Sequence, residues 1–250
     1  MVVRLLALSS LLLATATCAP RAPRSDRPAP IAEAAWVDQT LGRLSLREKV
    51  GQMIVPWVDG SYLAVGTPAY DRLRRWVEED KVGGVIVSVG PPLEIAAKIN
   101  LLQQMADVPL LVGADVERGP GQRLTGGTVL PWGIEAGGGT DFPPIMALGA
   151  ARDERLAYEV GRITALEARA VGIHMAYAPV LDVNIDPANP IINTRSYGED
   201  PALVARLGAA HVRGLQDHGL LATAKHFPGH GDVDVDSHLE LPILDIDRAR

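Results

Sequence analysis

Apolar runs of strand length alternate with helical patterns along most of this chain. The apolar runs are continuous, which is typical of strands buried on both faces of a parallel sheet; they span residues 51–55, 83–89, 109–114, 174–183 and 220–224. Segments with polar outer faces separate them and are predicted to be helices, at residues 68–79, 93–106, 153–170 and 201–218. This repeated order predicts an α/β fold with a parallel sheet.

The positions of the polar residues distinguish a closed barrel from an open sheet. The first run leads into Pro56-Trp57-Val58-Asp59 and not into a G-x-G-x-x-G turn, and Gly119-Pro120-Gly121 lacks the third glycine of a dinucleotide-binding motif. Polar residues instead follow the ends of three strands: Asp115, Glu117, Asp182, Asn184, Lys225 and His226. Because a barrel gathers such positions on one rim, we predict a (β/α)8 TIM-like barrel.

Only about five of the eight strands of such a barrel are found in the sequence. We therefore expect the chain to be a fragment of a longer protein, with its barrel incomplete at the C-terminus. We expect the isolated fragment to be prone to aggregation, because an open barrel exposes a strand edge. We also expect it to be inactive, because it would lack a catalytic residue carried by a later strand.

Residues 1–18 have the features of an export signal. Arg4 precedes an apolar run from Leu5 to Ala16, which is shorter than the roughly 20 residues that span a membrane. Cys18 is the single cysteine and has no partner for an internal disulfide. Its position resembles that of the lipid-modified cysteine of bacterial lipoproteins, although Thr15 stands where leucine is usual. Ordinary cleavage after Ala16 is the alternative, so the expected location is periplasmic, lipid-anchored in the cell envelope, or secreted.

A proline-rich tether is predicted to join this signal to the folded part. Residues 19–30 are too rich in proline for a helix and too polar for a core. Residues 31–250 are predicted to form the barrel. Ser45-Leu46-Arg47-Glu48 has the spacing of a capping box, which predicts that the barrel domain opens with a helix.

Composition narrows the classes of function. With 250 residues, 47% hydrophobic and 22% charged, the chain is long enough for one full-sized core. The net charge of -6 and the 4% aromatic content provide neither a basic patch for phosphates nor many stacking platforms. Nucleic acid binding is therefore not expected.

One loop concentrates the ionisable side chains. Between Lys225 and His238 lie three histidines, one lysine and three aspartates, directly after the last predicted strand. Pro228, Gly229 and Gly231 oppose a regular helix there. The polar groups are thus expected where a buried strand emerges from the core, which is where α/β barrels carry their chemistry.

A metal site is a competing interpretation of this loop. His226, His230 and His238, with the neighbouring aspartates, offer the donor atoms that zinc prefers, but a helical H-E-x-x-H is absent. Residues 232–236 are similar to the start of a calcium loop, yet positions six and twelve are Ser237 and Ile243 rather than glycine and glutamate. We expect neither a metal nor another cofactor.

Five ordered motifs resemble the N-terminal barrel of glycoside hydrolase family 3, in particular its bacterial β-N-acetylhexosaminidase branch. The likeness covers nearly everything from Leu44 to Arg250. The motifs are Leu46-Arg47-Glu48-Lys49-Val50-Gly51-Gln52-Met53, Asp115-Val116-Glu117-Arg118-Gly119 with Arg123, Ala178-Pro179-Val180-Leu181-Asp182-Val183-Asn184, Asn193-Thr194-Arg195-Ser196-Tyr197-Gly198, and the loop from Lys225 to Pro242.

The resemblance implies an acid–base dyad. Asp236-Ser237-His238 looks like the element that separates the hexosaminidases of this family from its β-glucosidases. His238 would donate a proton to the leaving group and then activate water, and Asp236 would orient it; an imidazole suits this because it titrates near neutral pH. The alternative is that both are loop residues that satisfy backbone groups. The nucleophile of the family is an aspartate on a later strand, which we expect beyond residue 250.

The resemblance also implies a sugar-binding set around the hydroxyls of the first subsite: Asp115, Arg123, Arg195, Lys225 and His226. A structural alternative is that Arg195 and Lys225 neutralise Asp115, Asp182 or Asp236 in a buried ion network. Asp182 and Asn184 are predicted to be structural and to cap amides of their own turn. Glu167 and His174 are predicted to be a helix and core pair.

Together these features predict an exported bacterial hydrolase that removes terminal β-linked N-acetylglucosamine from cell-wall or chitin-type oligosaccharides by a retaining mechanism. A β-glucosidase or another β-glycosidase is the alternative enzyme, and a non-catalytic sugar-binding protein is the alternative class. A purely structural envelope lipoprotein is disfavoured, because gathering so many ionisable groups without a ligand is energetically unfavourable. The expected partner is a carbohydrate.

Overall fold

A computed structural model of the protein describes residues 30–131 and 134–244. The chain divides after Gly42 into two units. Helix α1 (Pro30–Arg43) lies almost entirely in the first unit, was not predicted, and begins at the last residue of the predicted tether. The export signal and Cys18 lie outside the described residues. Within those residues, no helix has both the length and the apolar character needed to cross a bilayer.

The second unit is built on a parallel sheet. The strands of the described chain are β1 (Trp57–Val58), β2 (Gly84–Val87), β3 (Leu111–Ala114), β4 (Thr128–Leu130), β5 (Ile134–Ala136), β6 (Met175–Ala176) and β7 (Leu221–Ala222). Five of them form one sheet in the order β1-β2-β3-β6-β7, and every neighbouring pair is parallel. Strands β4 and β5 form a separate antiparallel pair.

The helices of this unit are α2 (Leu46–Gly51), α3 (Pro68–Glu78), α4 (Pro92–Met105), α5 (Met146–Ala151), α6 (Glu154–Ala170) and α7 (Pro201–Asp217), and short 3-10 turns lie at Pro120–Gln122 and Asn193–Arg195. Their starts follow from local chemistry. The Ser45 hydroxyl accepts from the Glu48 amide while the Glu48 carboxylate accepts from the Ser45 amide, so the predicted capping box is present. The side chains of Thr67, Asp153 and Asp200 cap α3, α6 and α7.

Two apolar clusters hold the unit together. The larger joins the inner faces of the strands to α4, α6 and α7, and includes Val85, Val112, Ala176, Ile99 and Leu215. The smaller lies around α6 and α7 and includes Ala157, Tyr197, Leu203, Val204 and Leu207. Helices that pack on a parallel sheet in this way fix the carboxyl ends of its strands, where the site is built.

The structure corrects one predicted strand. Residues 51–55 do not form a strand: Gly51 ends α2, and β1 begins only at Trp57. Gly51 fits there because a Cβ at this position would collide with the backbone oxygen of Asp80. The long run 174–183 contributes only β6 to the sheet, while Val180 forms an isolated parallel bridge with Lys225. The four predicted helices are confirmed to within one residue.

Candidate active site

A cavity of about 590 Å³ opens at the carboxyl ends of the strands. Asp115 directly follows β3, and Lys225 lies three residues after β7. The lining of this cavity includes every residue of the predicted sugar-binding set as well as His238: Asp115, Arg123, Arg195, Lys225, His226 and His238. The fold therefore brings residues from three of the five predicted motifs to one cavity.

Glu117 is the centre of the charged network in this cavity. Arg195 makes two parallel hydrogen bonds to it, from Nε to Oε2 at 2.9 Å and from Nη2 to Oε1 at 2.8 Å. Lys225 Nζ lies 2.6 Å from Glu117 Oε1 and donates to Asp115 Oδ1 at 2.9 Å. The predicted ion network exists, but its principal anion is Glu117 rather than Asp182 or Asp236.

The environment of Glu117 keeps it charged. Burial would raise the pKa of this carboxyl, but the hydrogen bonds from Arg195 and the charge and hydrogen bond of Lys225 lower it from 4.5 to about 2. The hydrogen bonding to Glu117 in turn raises the pKa of Arg195. At neutral pH the ionised Glu117 carboxylate therefore holds both Arg195 and Lys225 in place.

Sequence reasoning missed the role of Glu117. The available signal was its spacing from Asp115, since residues two apart at the end of a strand point to the same side. Its partners lie far along the chain, 78 residues away in the case of Arg195, so only the fold reveals the pairing.

Asp182 orients the loop that follows β7. Its buried carboxylate accepts from the His226 amide at 3.0 Å, from His226 Nδ1 at 2.6 Å and from the His230 amide at 2.6 Å. The prediction that it caps amides of its own turn is wrong, because these donors lie 44 and 48 residues away. Burial would raise its pKa, but the hydrogen bond from His226 holds the pKa below the usual value. Asn184 is also buried, and within the described residues its Oδ1 accepts no hydrogen bond.

The contact with Asp182 selects one form of the His226 ring. Because the carboxylate accepts from Nδ1, the proton of a neutral imidazole lies on Nδ1 and the lone pair lies on Nε2. Arg195 Nη2 is 3.3 Å from that Nε2. His226 therefore presents an oriented ring to the cavity, next to the Arg195 guanidinium.

Arg123 contacts Asp115 through the carboxylate oxygen that Lys225 does not bind. Its Nη2 lies 3.4 Å from Asp115 Oδ2, and its guanidinium carbon lies 5.6 Å from the centre of the Trp57 ring. This distance fits a cation–π contact. Asp115 is thus held between Arg123 and Lys225.

The predicted dyad lies at the rim of the same cavity. Asp236 Oδ1 accepts from His238 Nδ1 at 2.8 Å and from the His238 amide at 2.8 Å. The structure thus contains both the imidazole contact expected for an acid–base dyad and the backbone contact expected if the two are loop residues that satisfy backbone groups. The amide hydrogen bond is the largest of the causes that lower the pKa of Asp236. The His238 side chain is 75% exposed, and its Nε2 is left for another group.

Two further predictions concern residues near the barrel. Glu167 and His174 each bond elsewhere: the Glu167 carboxylate accepts from the Thr140 amide and hydroxyl, and His174 Nδ1 accepts from the Val112 amide. These are structural contacts, as expected, but they do not make a pair. Across the part of the chain that the structure describes, no three His, Cys, Asp or Glu side chains are grouped so that they could hold a metal ion.

Comparisons with known proteins agree with this architecture. The Glycosyl hydrolase family 3 N terminal domain model matches residues 45–250. A beta-N-acetylglucosaminidase/beta-glucosidase from Cellulomonas fimi is 38% identical over 210 residues, 82% of this chain and 33% of that protein. A beta-hexosaminidase from Thiobacillus denitrificans is 37% identical over 187 residues, 71% of this chain and 49% of that protein.

A solved structure shows the same fold. The glycoside hydrolase family 3 beta-N-acetylglucosaminidase from Paenibacillus sp. str. FPU-7 has a TM-score of 0.71 and 43% identity, over 82% of this chain and 37% of that one. The five parallel strands thus belong to a TIM-barrel-like α/β fold with a polar rim. The chain is a member of the glycosyl hydrolase family 3 N-terminal domain family. It spans a third to half of the length of the two curated relatives above.

Proposed function

We propose that the full-length gene product is a glycosidase that removes terminal β-linked N-acetylglucosamine from cell-wall or chitin-type oligosaccharides. One observation carries this proposal: His238, which is hydrogen-bonded to Asp236, lines the same cavity as the network of Asp115, Glu117 and Lys225. The names of the relatives, which include beta-hexosaminidase and beta-N-acetylglucosaminidase, support the choice of sugar.

The dyad would supply the acid and the base. The bond from His238 Nδ1 to Asp236 fixes the ring, so Nε2 would give its proton to the glycosidic oxygen, and the carboxylate would stabilise the imidazolium that precedes this step. The same Nε2 would next take a proton from the water that releases the sugar. Double displacement with retention follows the family resemblance, and we place the nucleophilic carboxylate beyond residue 250.

The charged network would bind the sugar in the first subsite. Asp115 offers acceptor lone pairs, Lys225 and Arg195 offer N–H donors, and His226 offers its oriented ring. Hydrogen bonds to charged groups are directional, and a site built from them rejects analogues that lack the matching hydroxyl. Their mutual pairing keeps the site ordered before the sugar arrives.

Export completes the proposal. Residues 1–18 would direct the protein out of the cytoplasm, with Cys18 as the point of lipid attachment if the lipoprotein route is used. Peptidoglycan fragments would then be accessible as substrates.

A comparison of two aryl glycosides tests the function. The full-length gene product, from its natural start codon to its natural stop codon, is assayed on aryl β-N-acetylglucosaminide and on aryl β-glucoside, with and without a chelator. Faster cleavage of the acetamido sugar, unaffected by the chelator, is the expected result. Preference for the glucoside would support a β-glucosidase, cleavage of neither sugar a binding protein, and sensitivity to the chelator a metal enzyme.

A variant tests the dyad. His238→Ala is expected to lower turnover by about 10²–10⁴-fold on substrates with poor leaving groups and much less on activated aryl substrates, because only the former need a proton. His218→Ala, at the end of α7, is the control and should match the parent enzyme. An equal loss on all substrates would argue against an acid role for His238.

A further inference from the structure

His230 is a buried imidazole that the proposed mechanism does not use. It is 9% exposed, it lines the cavity, and within residues 30–131 and 134–244 neither Nδ1 nor Nε2 makes a hydrogen bond. A buried polar group without a partner destabilises the folded state, because its hydration is lost and not replaced. Such a group in a native site therefore calls for an explanation.

The backbone around His230 is held firmly in place. Its amide donates to Asp182 Oδ1 at 2.6 Å, and its carbonyl accepts from Asn189 Nδ2 at 2.6 Å. The next carbonyl, of Gly231, accepts from the amides of residues 185 and 186 at 3.0 and 3.1 Å. The first half of the loop is thus held to the segment after β6, and the ring of His230 is buried there.

The second half of the loop has fewer anchors and carries the dyad. Val233 is buried, but the side chains of His238, Leu239 and Leu241 are exposed. The amides of residues 239 and 240 donate to the Asp236 carbonyl, so this part is held by its own turn. A fixed half with an unpaired imidazole is therefore joined to a less anchored half with the acid–base pair.

The carboxylate of the dyad has room for a second donor. Both hydrogen bonds from His238 to Asp236 end on Oδ1, and within the described part of the chain Oδ2 accepts none. His230 lines the same cavity as Ser237 and His238, the two residues that follow Asp236, so its ring lies close to the dyad. An unpaired buried donor and an available carboxylate oxygen thus lie on the two halves of one short loop.

We propose that His230 is a positioning residue for the dyad, and that one of its ring nitrogens donates a hydrogen bond to Asp236 Oδ2 when the second half of the loop settles over a bound sugar. The inference rests on the proposed function. A carboxylate held through both oxygens cannot rotate, so His238 Nδ1 stays aligned with Oδ1 and Nε2 stays directed at the glycosidic oxygen. Substrate binding and alignment of the acid are then one event.

A spectroscopic experiment tests the contact without relying on catalysis. The ¹⁵N signals of His230 are recorded in the full-length gene product labelled at histidine, with and without N-acetylglucosamine, and again in Asp236→Asn. The control is Asp234→Asn, since Asp234 is an exposed aspartate of the same loop. We expect the sugar to shift the His230 signals, Asp236→Asn to remove most of that shift, and the control Asp234→Asn to leave it unchanged. No shift with the sugar, or a shift that persists in full in Asp236→Asn, overturns the inference.

Kinetics test the consequence. His230→Phe is expected to lower kcat/KM by about tenfold or more for substrates with poor leaving groups and by less than about threefold for activated ones, while His230→Gln, which keeps a donor, recovers part of the loss. The double variant His230→Phe/Asp236→Asn should have the same kcat/KM as Asp236→Asn alone, because His230 acts only through that carboxylate. A uniform loss across leaving groups, or an additive double variant, overturns the inference. If the parent enzyme cleaves no glycoside, the proposed function fails and the ¹⁵N experiment still decides whether His230 contacts Asp236.

Discussion

Replacing Glu117 with glutamine removes one negative charge from the centre of the network and changes little else in size. The variant leaves Arg195 and Lys225 next to a neutral amide at a position where the glutamate side chain is only 9% exposed. Lys225 then keeps its salt bridge to Asp115, while Arg195 loses its salt bridge to a carboxylate. We expect both a loss of stability and a loss of sugar affinity, since the donors are no longer held in place.

The magnitude follows from the pKa of Glu117. The difference between 4.5 and about 2 corresponds to about 3 kcal/mol, at about 1.4 kcal/mol per pH unit. The pKa is depressed in the folded state, so this stabilisation is fully present above pH 4.5 and is lost as the pH falls toward 2. For a domain of this size, about 3 kcal/mol lowers Tm by roughly 6–12 °C.

Thermal unfolding of the full-length gene product measures this effect. The parent and Glu117→Gln are compared at pH 7 and at several values down to pH 3, and the difference in Tm should narrow as the pH falls. Glu154→Gln is the matched control, because Glu154 forms an exposed pair with Arg206 at 3.8 Å. Its replacement should change Tm by no more than about 2 °C. A difference for Glu117→Gln that is absent at pH 7, or constant across the pH range, would refute the reasoning.

Three further variants test the site. Arg195→Lys cannot keep both hydrogen bonds to Glu117, so the inhibition constant of a competitive sugar analogue should rise by about 10-fold or more. Gly231→Ala places a Cβ against a backbone oxygen and should destabilise the protein by about 1–3 kcal/mol, whereas Gly127→Ala, whose nearest neighbour would lie at 3.5 Å, should leave Tm nearly unchanged. Asp182→Asn replaces a charged acceptor of three hydrogen bonds and should weaken sugar binding by about 10-fold in calorimetry; unchanged affinity would show that it does not orient the loop.

The sequence predicts the helices and the parallel sheet well, because periodicity and capping are local properties. Asp153 and Asp200 mark helix starts that the structure confirms. The strand prediction at residues 51–55 is wrong because the capping box at Ser45 carries the helix through Gly51. An apolar run alone cannot separate the end of a buried helix from a strand. Helix α5 and the β4–β5 pair were not predicted, and no strong periodic pattern marks either of them.

The site is predicted less completely than the fold. The resemblance identified Asp115, Arg123, Arg195 and Lys225, which line the cavity, but not Glu117. It also implied the pairing of Asp236 with His238, two residues away, and the two are in contact. Pairings across the barrel are not encoded in local spacing. Glu117 meets Arg195, and Asp182 meets the loop after β7, only because parallel strands bring distant segments to one edge.

The order of strands in the sheet has a consequence for synthesis. Along β1-β2-β3-β6-β7 each strand pairs with a strand that precedes it in the chain, and the β4–β5 pair lies outside this sheet. The polypeptide leaves the ribosome at about 5–20 residues per second. Each of the strands β2, β3, β6 and β7 therefore emerges after the strand beside which it pairs has been synthesised. The sheet can grow from one side in the direction of translation, and at each stage its newest strand is an open edge that both recruits the next strand and must be shielded from other chains.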